Sequence, residues 1–147
     1  MTVTTAQAAA LRAALDGNEE AFSRFSSDPE VANGQGLPVL MTTAFVAAVQ
    51  LRFLPGWSDG DVVRFVGRLR ARNGGAGENL SATAAEQILL RVLRGKSMGS
   101  QFDEFTTSFV QFALLAELLN DLSEQEISTF LAEAREQADA WLAQRSG

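Results

Sequence analysis

LPGWSDGDVVRFV, Leu54–Val66, decides the fold. It opens with a Pro-Gly turn and places Ser58 as a helix N-cap, with Asp61 three residues on. Ser-x-x-Asp is a variant of the capping box, in which two side chains satisfy backbone N–H groups that a helix start leaves unpaired. Trp57 before the cap and Val62 after it have the spacing of a hydrophobic staple. Val62, Phe65, Val66 and Leu69 then recur at helical spacing, so a tight turn leading into an amphipathic helix is predicted.

The residues before this turn, LPVLMTTAFVAAVQLRFL at Leu37–Leu54, are apolar on most sides of a helix and predict one that sits centrally. Pro38 is expected to open it, where a missing N–H costs little. Gln50 and Arg52 interrupt the apolar run and argue for a buried helix over a membrane span. The same order of parts recurs downstream. TTAFV at Thr42–Val46 is echoed by TTSFV at Thr106–Val110, and LNDLSEQEISTFL at Leu119–Leu131 lies over Leu54–Val66, with Ser123 and Glu126 as a full capping box. Two pseudo-repeated αα-hairpins at the centre of the fold are therefore an expectation. Caps also recur without duplication, because every helix start presents the same unpaired donors.

The remaining segments read as helices too. Thr5–Asp16 is alanine-rich and Gly17 is placed to stop it. Asn18 can cap a short helix edged by Phe22 and Phe25. Ser26–Gly36 is predicted to be a flexible loop, and residues 73–79 a glycine loop. Ser81 caps Ala82–Arg94, with Ile88, Leu89 and Val92 inward and Gly95 as its stop. A long helix over Gln101–Leu119 puts Phe102, Phe105, Phe109 and Phe112 on one stripe. The last helix is expected to bury Ile127, Phe130, Leu131, Ala134, Ala138, Trp141 and Leu142. No segment alternates like a strand. The expectation is one all-α domain over residues 1–147, a compact bundle of six to seven helices.

Composition restricts the chemistry. The chain has no histidine, cysteine or tyrosine, so the commonest general base, the thiolate nucleophile and the commonest metal ligands are missing. No cofactor, metal site or catalytic residue is expected. NGGAG at Asn73–Gly77 lacks the Lys-Ser/Thr of a phosphate loop. The paired carboxylates Glu19–Glu20, Asp103–Glu104 and Glu133–Glu136 fall on predicted polar faces and read as solvated surface. The first residues show no basic stretch ahead of an apolar run, and a cytoplasmic protein is expected.

Charge gives the clearest functional hint. Between Arg52 and Lys96 lie eight basic and four acidic side chains, whereas the rest of the chain carries four basic and fourteen acidic ones. Arg64 and Arg68 share a helix face, as do Arg91 and Arg94. These arginines either pair with the protein's own carboxylates or serve an acidic partner. Nucleic acid is disfavoured by an overall charge of −6 and by the lack of aromatic residues interleaved with the arginines. The reading is a non-catalytic protein-interaction or assembly module, expected to form a homodimer, with Arg64, Arg68, Arg91, Arg94 and an exposed Trp57 at its contact surface. The alternative is a binding protein for a small apolar ligand held against Phe105, Phe109 and Phe112.

Overall fold

Each predicted serine cap forms. In the computed structural model, which describes residues 3–15, 20, 36–72, 81–95 and 104–146 (without the side chains of 104–109, 145 and 146), Ser58 donates its backbone N–H to Asp61 Oδ2 at 2.9 Å. Asp61 N–H returns to Ser58 Oγ at 3.3 Å. Ser123 and Glu126 make the same reciprocal pair at 3.1 Å in each direction, and Ser81 Oγ accepts from Ala84 N–H at 3.2 Å. A third reciprocal box lies at the first helix, where Thr4 N–H reaches Gln7 Oε1 at 2.9 Å and Gln7 N–H reaches Thr4 Oγ1 at 3.1 Å. Four of the helix starts thus have their first donors satisfied by side chains.

The described residues are all-α: six helices and no strand. They are α1 (Thr5–Leu15), α2 (Gly36–Arg52), α3 (Asp59–Arg72), α4 (Ala82–Leu93), α5 (Glu104–Leu118) and α6 (Glu124–Ser146). The predicted short helix after Asn18, apart from Glu20, and the two predicted loops fall outside the described residues, except that Gly36 belongs to α2 and not to a loop. Pro38 consequently sits inside the first turn of α2, where N–H groups still lack a helical acceptor. No described helix is long and apolar enough to cross a membrane.

The chain divides into two units: Met1–Ala44 together with Leu122–Gly147, and Phe45–Asp121. In the first unit Val3, Leu11, Leu40, Phe130, Ala134, Ala138 and Leu142 are buried. The α6 members recur every fourth residue, so they fall on one face. Trp141 was expected on that face but is 39% exposed; it stands one position off the four-residue row, at the edge where an indole can keep one side wet. Ile127 and Leu131 are half-buried. Gly36 comes so close to α1 that a Cβ there would collide with Oε1 of Gln7, itself buried and committed to Thr4. The N-terminal segment is clipped to α6 at Val3. Its N–H donates to Asp139 Oδ1 at 2.6 Å, and its carbonyl accepts from Arg135 Nη2 at 2.9 Å.

In the second unit α4 packs against both α3 and α5. Arg94, just past α4, pairs with Asp59 at the start of α3, and Arg72 at the end of α3 pairs with Glu117 near the end of α5. These two ties set α4 antiparallel to its neighbours. Val62, Phe65, Val66 and Leu69 of α3 are all buried as expected, and so are Ile88 and Leu89 of α4, whereas Val92 is half-buried. Gly95 ends α4 in a left-handed conformation, φ +70°.

The two hairpin segments share their cap chemistry and differ around it. Phe65 and Phe130 are both buried, but Leu54 is 64% exposed while Leu119 is 3% exposed.

The caps also carry a pH dependence. The N–H of Ser58, then the Arg64 side chain, hold the Asp61 carboxyl below its ordinary value of 3.8. The N–H and hydroxyl of Ser123 hold Glu126 below 4.5. Both groups favour the folded state while ionised, so that contribution is complete above the ordinary values and vanishes as pH falls through the lowered ones. Side-chain NMR titration should find the Asp61 midpoint below 3.8 and the Glu126 midpoint below 4.5, with Ser123→Ala raising that of Glu126. A Glu126 midpoint unmoved by Ser123→Ala would show that the Ser123 hydroxyl does not hold the carboxylate in solution.

Candidate functional site

The corner between α2 and α3 gathers most of what the sequence singled out. α2 ends with Arg52, a place where the helix dipole favours a cation. Phe53 still donates to Val49 O at 2.9 Å, and the chain then turns sharply, with Trp57 N–H returned to Leu54 O at 3.2 Å. Pro55 and Gly56 occupy the middle of that turn, and Gly56 has φ +99°. This is the type II arrangement, which proline pre-sets at the second position and which only glycine enters freely at the third. The cap at Ser58 then aims α3 away from the corner.

Two buried rings hold the corner together. Phe53 and Phe65 meet edge to face, with centroids 5.5 Å apart and planes at 71°. The Arg52 guanidinium lies 5.7 Å from both ring centroids. That cation–π contact positions the side chain and uses none of its N–H donors. An open recess of about 320 Å³ lies beside it, lined by Arg52 and Phe53, the turn residues Leu54 to Trp57, and Asp61, Arg64 and Arg68 of α3.

The structure sorts the candidate arginines into different environments. Arg64 pairs with Asp61 one turn earlier on α3. Arg94 reaches Asp59 at 3.3 Å, and both side chains are well exposed. Arg91 is half-buried and already engaged within the protein. Such surface pairs contribute little to stability, but they do offset the charge. Arg68 is exposed and has no ion pair among the described residues; the same is true of Arg52. Arg64, Arg68 and Trp57 are thus brought to one recess, while Arg91 and Arg94 are not among its lining. Trp57 is half-buried in the recess wall, not exposed as expected, because the tight turn folds it back beside Leu54.

Sequence reading passed over three participants. Arg52 was signalled by its place at the end of an apolar helix beside a phenylalanine. Leu51 and Leu54, 63% and 64% exposed, had no signal, because a helix apolar on most sides does not show which apolar residues it leaves outside. On the other candidate surface, Phe112 is half-buried on α5, and the side chains of Phe105 and Phe109 lie outside the described residues. Among the described residues no three of the His, Cys, Asp and Glu side chains converge as a metal site. Protein-family models, curated proteins and solved structures were all compared with the chain, and none of them matches it.

Proposed function

We propose that this chain is a non-catalytic helical interaction module whose contact surface is the α2–α3 corner. The observation that carries this reading is the company kept by exposed apolar residues. Four large apolar side chains are exposed among the described residues, and three of them, Leu51, Leu54 and Val63, fall between the end of α2 and the first turns of α3. They alternate in sequence with Arg52 and Arg64, and Trp57 stands between them. Apolar residues rimmed by charge, with Trp and Arg among them, have the composition of a contact patch. A second copy of the chain in a homodimer is the partner proposed first, and the cytoplasm is the proposed compartment. A reaction is not part of the proposal, because the chain lacks the residues on which acid–base and nucleophilic catalysis most often depend.

Solution mass by light scattering, at low and at high salt, tests the self-association. A dimer that survives salt and becomes a monomer in Leu51→Glu/Leu54→Glu supports it. If the protein is a monomer, capture from lysate of the native cell must lose a specific protein with that variant. Capture must also persist with Glu133→Lys/Glu136→Lys, a control on exposed residues of α6. Introducing charge into the centre of such a patch should weaken binding about tenfold or more. Identical mass and identical capture for all three forms overturns the proposal.

A further inference from the structure

The recess at the corner has a charge imbalance that the protein does not resolve. Three guanidinium groups line it against one carboxylate, Asp61. That carboxylate is already used: one oxygen accepts the Ser58 N–H and the other takes Arg64. Arg52 and Arg68 remain, and neither has an ion pair among the described residues. Arg52 is also held in place. Its guanidinium rests over Phe53 and Phe65, both buried, so its orientation is fixed while its forked donors stay available. Leu54, Pro55 and Trp57 supply the apolar part of its lining.

Two cations without ion pairs, one of them held in place, beside apolar side chains select a ligand. Each guanidinium offers parallel donors that match a carboxylate or phosphate. At about 320 Å³ the recess stands at the low end of ligand-sized pockets, so it takes a few side chains of a partner. A long polyanion is disfavoured, because the chain as a whole carries −6 and would repel it at a distance, whereas a short segment samples only the local excess. Apolar side chains next to the arginines call for an apolar group beside the anions, which phosphate alone lacks.

We infer that this recess takes a short acidic segment of a partner protein, in which two carboxylates flank an apolar side chain. One carboxylate meets Arg52, the other meets Arg68, and the apolar side chain lies against Leu54 and Trp57. This inference rests on the interaction reading above and adds the chemistry of the partner.

The test uses the protein's own fluorescence. The chain has two tryptophans, so Trp141→Phe leaves Trp57 in the recess wall as the reporter. The probe is a blocked peptide of alternating glutamate and leucine, compared with its glutamine counterpart, with inorganic phosphate and with a single-stranded oligonucleotide. The acidic peptide should change Trp57 emission saturably. Exchange of its glutamates for glutamine, or Arg52→Glu/Arg68→Glu in the protein, should weaken binding about tenfold or more. Arg52→Lys/Arg68→Lys should fall between, since charge is kept and the fork is lost. Circular dichroism checks that each variant keeps its helices. Equal binding of the glutamine peptide, tighter binding of phosphate or of the oligonucleotide, or no response up to millimolar peptide each overturns the inference. The two proposals fail separately. If Leu51→Glu/Leu54→Glu abolishes partner binding and Arg52→Glu/Arg68→Glu does not, the contact surface stands and the acidic segment falls.

Discussion

Replacing Phe45 with alanine should lower the free energy of unfolding by about 3–5 kcal/mol, a large part of the 5–15 kcal/mol typical of a domain. Phe45 heads the fully buried side chains by volume and is 0% exposed. Truncation removes the transfer free energy of the ring and leaves a cavity whose walls relax only in part. Its helical neighbours Ala44 and Ala48 are already small and buried, so they have no spare side chain to swing into the space. Phe45→Leu, which keeps much of the volume, should lose clearly less. The chain divides into two units, so the reporter is placed in the same unit as the mutation. Trp57 serves here, read in a Trp141→Phe background by urea titration. A loss smaller than about 1 kcal/mol would mean that the ring is not enclosed in solution.

Asp139→Ala is the second large effect, expected at about 1–3 kcal/mol and read from Trp141 in a Trp57→Phe background. Val3 is 1% exposed, so its N–H has no water to turn to once Asp139 Oδ1, 2.6 Å away, is gone. An unpaired buried donor keeps its full desolvation penalty, which exceeds the net gain of an ordinary hydrogen bond. Asp139→Asn retains an acceptor and should recover part of the loss. Arg135→Ala removes the other half of the clip, at the Val3 carbonyl. The two substitutions act on one residue and should be coupled, so the double variant should cost less than the sum of the singles. Strict additivity would mean that the two bonds are made independently and that Val3 is not clamped as one unit.

Features that a few adjacent residues determine were legible in the sequence. Ser58, Ser81 and Ser123 cap as expected because a cap needs only its own next three residues. The inner face of α3 is right at all four positions because its polar and apolar residues alternate cleanly. The Thr4–Gln7 box follows the same Thr-x-x-Gln rule, and the alanine run after it drew attention away. Where composition is uniform the reading fails. α2 and the turn after it are apolar nearly throughout, so nothing marked Leu51 and Leu54 as outward. At the candidate site Arg64, Arg68 and Trp57 could be grouped because one turn and one helix carry them. The ties that withdraw Arg94, to Asp59 across 35 residues, and Arg72, to Glu117, depend on how helices assemble. The seat of Arg52 over Phe65 is likewise tertiary.

The division of the chain also bears on the order in which the molecule can be made. One unit is the uninterrupted segment Phe45–Asp121, and the other is split around it. A ribosome therefore delivers every residue of the inner segment before Leu122 exists. α1 leaves the ribosome before α6, yet the partners of Val3 are Arg135 and Asp139, the latter 136 positions further along. The inner segment can form its nearer contacts as it emerges, while the segment around Val3 must wait for α6. Val3 gains its partners only once α6 has been made.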